Sequence, residues 1–198
     1  MVSELKVEQA FYWPTPTYYF NIHKYIDGEF LKKDILEREK NKDGFQFSSI
    51  QGSGWQSHKD LLKNEIYLDL KKCLHIHVKG VLEHLYRDGV EIILKQSWAN
   101  VSRKSHFTQS HIHEGTHWAL VYYVTPTKDA GLYFKDPRIH RHMDTSQQYL
   151  KNGFDQIITK KPFESGECIL FPSWLTHGVH PNMLDYERIS IAAIYIVR

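Results

Sequence analysis

A chain of 198 residues, 41% hydrophobic and 24% charged, is long enough for one sizeable core and too apolar to remain disordered. Its net charge of +2 gives no electrostatic case for a nucleic-acid or anionic-membrane partner. The opening MVSELKVEQAFYW does not read as a secretory signal, and the strongest apolar run, WALVYYV at 118–124, is too short to span a bilayer.

Taken in chain order, an extended segment (FYWPTPTYYFNI) precedes a helical pattern over Asp27 to Lys40. A turn-rich stretch, DGFQFSSIQGSGWQSHKD, follows, with glycines at 44, 52 and 54. An amphipathic helix is then predicted from about Glu65 to Arg87. Leu70, Cys73, Leu74, Val78, Val81, Leu82 and Leu85 recur there at three- and four-residue steps, and Asp88-Gly89 ends it. From Val90 the texture becomes β. VEIILKQSWANVS, SHFTQSHIH, WALVYYVT, GLYFKDP, ECILFPS and ERISIAAIYIV are β-branched or aromatic runs punctuated by Gly, Pro, Asp and Thr. No repeat or linker divides the chain, so one α+β domain over 1–198 is expected. Residues 1–89 form its helical support and 90–198 a sandwich or barrel of antiparallel strands. Cys73 and Cys168 lack any CxxC spacing and read as buried thiols of a cytoplasmic protein.

The 13 histidines are the compositional oddity, and their placement separates them. His111 and His113 flank Ile112 where the chain reads as extended, and residues i and i+2 of a strand project from one face toward a shared ion. His177, shortly after ECILFPS, can supply a third ligand from a neighbouring strand. Three protein ligands leave the open positions that a catalytic metal needs. The second HIH, at 75–77, falls in the predicted helix, where i and i+2 diverge by roughly 200°, and is assigned structural or surface roles. His113-Glu114-Gly115-Thr116-His117 fits HExxH formally, but that motif chelates only on a helix and here Gly115 precedes a β run. RIHRH at 138–142 reads as a solvated loop. Arg188 opens the last strand, where alternation places it with Ser190 and Ala192 on one face. A guanidinium among apolar neighbours calls for an anion, and its planar fork suits a carboxylate, either a ligand's or an internal Asp or Glu.

The ordered set HxH, LVYYV, GLYF, GECILFPSWLTHGV and ERISI resembles the double-stranded β-helix (jelly-roll, cupin-like) core of the Fe(II)/2-oxoglutarate-dependent oxygenases. It is most similar to the small bacterial and phage-type members of that superfamily. FYWPTPTYYFNI, GSGWQSHKDL and SWANVS also resemble the family's N-terminal features, so the likeness covers nearly the whole chain. The resemblance implies Fe(II) held by His111, His113 and His177, with His113 standing where most members carry Asp or Glu. It implies 2-oxoglutarate anchored by Arg188 and Ser190, with Tyr123 and Asn100 as further contacts. It implies a dioxygenase that hydroxylates a substrate and releases succinate and CO2, in a cytoplasm that would be a host's for a phage-encoded chain. Trp118, Tyr122 and Trp174 are candidates to wall the pocket. Glu114 points to the opposite strand face from His113 and is not adopted as a ligand. Two other readings stand beside this one: a cupin-type metalloprotein without 2-oxoglutarate, for which Arg188 has no use, and a non-catalytic β-sandwich binding module. Homodimerisation is left open, and the substrate is not readable.

Overall fold

Two α-helices and eleven strands form within residues 14–49, 52–128, 131–138, 157–159 and 162–198, the parts described by the computed structural model. The helices are α1 (Gly28–Lys40) and α2 (Leu68–Leu82). The first six strands are β1 (Tyr18–Asn21), β2 (Gly44–Ser49), β3 (Gly52–Ser57), β4 (Ile92–Ser102), β5 (Thr108–His111) and β6 (Trp118–Tyr123). They are followed by β7 (Leu132–Lys135), β8 (Ile157–Thr159), β9 (Glu167–Pro172), β10 (His177–Val179) and β11 (Arg188–Val197).

The Asp27 side chain caps α1 by accepting from the Phe30 backbone N–H at 3.0 Å, and Arg38 and Lys40 complement the dipole in the last turn. Leu31 and Ile35, four apart, are its buried contacts. In α2, Leu70, Leu74, Val78 and Leu82 make the buried stripe. The helix starts and stops inside the predicted span: a 3-10 turn occupies Glu65–Tyr67, and α2 ends at Leu82, which leaves Leu85 exposed.

The strands run β1-β9-β6-β11-β4-β3-β5-β10-β7-β8, with β2 paired to β3, and every strand pairing is antiparallel. β11 lies between β4 and β6, and its alternation sorts the interior into two cores. Ile189, Ile191, Ala193 and Tyr195 face the layer containing the buried residues of α1 and α2. Ala192 and Ile194 face the other way and join Trp98, Ala119, Phe134 and Phe171 in a second cluster. That cluster closes because the sheet curls over: Phe134 of β7 meets Phe171 of β9 at 4.9 Å between ring centroids. The result is a double-stranded β-helix with two helices packed outside it.

The first 89 residues support this core with strands as well as helices. β1 adds to β9, and the segment read as turn-rich folds as the β2–β3 hairpin, whose inner strand pairs with β4. Glycine is needed in that hairpin: Gly54 has φ +130°, and a Cβ there would lie 2.8 Å from the Val101 carbonyl oxygen. Cys73 is half-buried and Cys168 buried, and both are free thiols. No helix among the described residues is long and apolar enough to cross a membrane. Residues 11–13 of the opening segment and 139–142 of RIHRH lie outside the described residues, while Arg138 pairs with Asp136 at 2.6 Å.

Candidate metal centre

His177 of β10 stands opposite His111 of β5 in the strand register. His113 lies two residues beyond His111, just past the end of β5 rather than on it. Its backbone N–H donates to the Ser173 carbonyl at 3.0 Å, which holds the extended direction without a strand partner. The three imidazoles converge, with ligand nitrogens all within 4.8 Å of one another. The Nδ1 of His111 lies 2.9 Å from the Gln109 carbonyl oxygen and that of His177 lies 2.8 Å from the Leu175 carbonyl oxygen. A carbonyl only accepts, so both Nδ1 atoms carry the proton and both Nε2 atoms present a lone pair. Such a hydrogen bond fixes tautomer and ring orientation in metal-ligating histidines.

Burial, aided by the neighbouring His111, holds the His113 imidazole down at about 4 and the His177 imidazole at about 3. Both are therefore neutral at pH 7, the form that ligates. Glycine again makes room: a Cβ at Gly178, next to His177, would overlap the Tyr133 hydroxyl.

The three histidines line a cavity of about 580 Å³ together with Arg188, Ser190, Tyr123 and Asn100. Strand register explains the polar group. Ser190 is paired with Asn100 on one side and Tyr123 on the other, so the three side chains form one row across β4, β11 and β6. Gln56 extends that row, donating to the Asn100 carboxamide oxygen at 3.2 Å. Tyr123 is 4% exposed and stacks on Phe163 with 4.1 Å between centroids, and burial pushes its phenol well above the usual range. The hydroxyls of Ser190 and Tyr123 have no hydrogen-bond partner among the described residues. Arg188, one row further along β11, is also 4% exposed, and its Nη2 donates to the His180 carbonyl at 2.9 Å. The bare face of Gly131 lets the guanidinium sit: a Cβ there would come within 3.0 Å of Nη1. A buried cation beside two unused hydroxyls is a cradle for a carboxylate.

The decoys separate by geometry. His77 bonds the Cys73 carbonyl through Nδ1 at 2.8 Å and stacks on Phe20, while His75 faces solvent. His117 accepts the Val197 N–H through Nδ1, and a turn, not a helix, joins it to His113. The expected pocket walls need correcting. Trp118 and Tyr122 belong to the helix-side core, with the Trp118 indole donating to the Tyr86 hydroxyl at 2.7 Å, and Trp174 is 53% exposed. The cavity is walled instead by Trp98 and Phe171, whose rings lie 5.9 Å from His113 and 4.7 Å from His177. Trp98 was findable, since it stands two residues from Asn100 on the same strand face. Lys59, at the cavity's edge with its Nζ 5.6 Å from the Trp98 ring centroid, was also missed.

Residues 96–193 match the family described as "Putative 2OG-Fe(II) oxygenase". No curated protein matches the chain. Among solved structures, a Pseudomonas putida prolyl-4-hydroxylase is similar in fold, with TM-score 0.58, 14% identity, and coverage of 90% of this chain and 91% of that one. The epimerase SnoN of nogalamycin biosynthesis, in complex with Fe3+, alpha ketoglutarate and nogalamycin RO, is similar with TM-score 0.63 and 14% identity over 90% of this chain and 78% of that one. HygX from Streptomyces hygroscopicus, with nickel, 2-oxoglutarate and hygromycin B bound, has TM-score 0.52 and 12% identity over 91% and 82%.

Proposed function

Because the chain belongs, through its β core, to the 2OG-Fe(II) oxygenase family, we propose that it is a dioxygenase that binds Fe(II) through His111, His113 and His177, takes 2-oxoglutarate at Arg188, and hydroxylates a substrate C–H bond. One observation carries the reading: three convergent imidazoles share a cavity with a buried arginine and two unused hydroxyls. Epimerase, carbocyclase and prolyl hydroxylase are all among the structures of similar fold, so hydroxylation rests on chemistry rather than on likeness.

The donor set fits the metal. Imidazole is a good ligand for iron, and three ligands on one side leave positions for cosubstrate and dioxygen. Fe(II), when bound, would activate dioxygen as the four-electron oxidant, with two electrons coming from 2-oxoglutarate as it is converted to succinate and CO2 and two from the substrate C–H bond. The chain's own residues do the positioning. The Gln109 and Leu175 carbonyls hold two imidazoles with Nε2 inward. Arg188 and the Ser190 and Tyr123 hydroxyls receive the distal carboxylate, with Asn100 as a further donor. Trp98 and Phe171 keep the metal side of the cavity apolar and limit water.

The test is an anaerobic titration of Fe(II)-loaded protein with 2-oxoglutarate, read by the visible charge-transfer band of the chelate. The band is expected in the wild type and absent in His177→Ala. In Arg188→Ala it persists with affinity about 10- to 100-fold weaker, the range for a hydrogen bond to a charged group. Folded, metal-loaded wild type without the band refutes the oxygenase reading. Unchanged affinity in Arg188→Ala refutes the role of Arg188.

A further inference from the structure

Two of the three imidazoles in the metal centre are aimed by hydrogen bonds, and the third is not. His111 and His177 each fix their ring through Nδ1 and a backbone carbonyl, at 2.9 and 2.8 Å. Neither ring nitrogen of His113 has a hydrogen-bond partner among the described residues. Only its backbone is tied down. Its N–H donates to the Ser173 carbonyl at 3.0 Å, and the Thr116 hydroxyl donates to its own carbonyl at 2.8 Å. Those bonds place the Cα but leave the side-chain torsions open, and χ2 of a histidine is broad. The position is also past the end of β5 and just before a turn in which Gly115 has φ +64°. The half-buried His113 ring therefore needs a restraint from elsewhere.

Ring contacts supply it. His113 meets His111 at 5.0 Å, His177 at 5.1 Å and Trp98 at 5.9 Å between centroids. The two histidines present Nε2 lone pairs toward the same point, so they do not draw a third nitrogen in until an ion is bound. Trp98 differs. Its plane is at 67° to the imidazole, an edge-to-face arrangement that ring quadrupoles favour. The indole is itself held firmly: it is 7% exposed, stands on β4 opposite Ala192 of β11, and packs within the second core cluster.

Resting on the three-histidine metal site of the reading above, we propose that Trp98 is a positioning residue of the metal centre. Its indole keeps the His113 imidazole turned toward the ion, in place of the hydrogen bond that the other two ligands have. Loss of the indole then loosens one ligand of three and leaves the carbonyl-held pair as it is.

The experiment titrates full-length protein with Co(II), whose visible d–d bands report the number and arrangement of its ligands without cosubstrate or turnover. Wild type, His113→Ala, Trp98→Leu and Trp98→Phe are compared. Trp98→Leu is expected to bind Co(II) about two- to tenfold more weakly, the range for one aromatic pair. Its bands move toward those of His113→Ala, whereas Trp98→Phe, which keeps a ring edge, retains the wild-type bands. Unchanged bands in Trp98→Leu, where His113→Ala alters them, overturn the proposal and leave Trp98 a structural role that urea unfolding alone would register. Trp98→Phe as impaired as Trp98→Leu overturns it too, since the ring contact is then not the cause. His113→Ala without effect on the bands removes His113 from the ligands and has the same result. If Trp98→Leu does not fold, Zn(II)-loaded wild type decides by NMR. Nuclear Overhauser contacts between the Trp98 indole and a His113 ring in one tautomer are expected, and their absence overturns the proposal. Failure of the oxygenase reading is seen separately, as protein that binds Co(II) yet gives no Fe(II)–2-oxoglutarate band; wild type that binds no Co(II) overturns both.

Discussion

His113 decides how much positive charge the site presents. With imidazole in place of a carboxylate, the three proposed ligands contribute no negative charge, and a divalent ion held there would attract an anionic cosubstrate at full strength. His113→Asp is expected to keep metal binding and to weaken 2-oxoglutarate by roughly tenfold, or about 1.4 kcal/mol. That is well below the ~4 kcal/mol that two unit charges 4 Å apart exchange near a protein surface, because water screens part of it. Titrating the visible band measures it, and equal or tighter affinity would show that position 113 does not set the charge felt by the cosubstrate. At this scale much of the site was legible. HIH at 111–113 could be told from its twin at 75–77 by the periodicity around each. That His113 lies beyond the end of β5 was not legible, since its extended geometry is held by Ser173, 60 positions away. Lys59 was hidden for the same reason: a bridge from Asp60 to Ser97 brings it in.

Among the elements, β11 carries the most. Its even-numbered side chains face the cavity and its odd-numbered ones the helix-side core, so one strand positions Arg188 and Ser190 and buries Ile189 and Ile191. Ile191 is fully buried, and Ile191→Ala should cost about 2–5 kcal/mol through lost contacts and a residual cavity. Ile112→Ala, at a position 43% exposed between two proposed ligands, should stay within about 0.5 kcal/mol. Removing the α1 cap with Asp27→Ala falls between, at about 1 kcal/mol. Urea unfolding of the metal-free protein orders the three, and an Ile112 effect as large as that of Ile191 would contradict the difference in burial between the two positions. β11 and α1 could be read from sequence because alternation and capping are local. The β2–β3 hairpin could not: GFQFSS and GSGWQS are short of β-branched residues, and pairing with β4 and close glycine approaches, not propensity, make them strands.

Across the whole molecule, the proposed metal and cosubstrate sites belong to different parts of the curled sheet. His111 and His177 come from the adjacent strands β5 and β10, so an ion ties one layer to itself. Arg188 and Ser190 come from β11 in the facing layer, so a cosubstrate held at both ends as proposed would span the two. Ligands that bind only the folded chain stabilise it by mass action, about 2.7 kcal/mol at a hundredfold excess over Kd. At about 2–4 °C per kcal/mol for a chain of this size, metal alone should raise Tm by roughly 5–11 °C. Chelation should reverse that rise. 2-Oxoglutarate should add a second rise only when metal is present, since one of its ends has no partner otherwise. His177→Ala should abolish both rises. Arg188→Ala should keep the first and shrink the second, because the ion's ligands are intact while the far layer has lost its grip. Thermal unfolding with each ligand alone and with both separates these outcomes. If 2-oxoglutarate stabilises metal-free protein as much as metal-loaded protein, the two sites are not joined through one molecule, and the cavity's two ends serve different ligands.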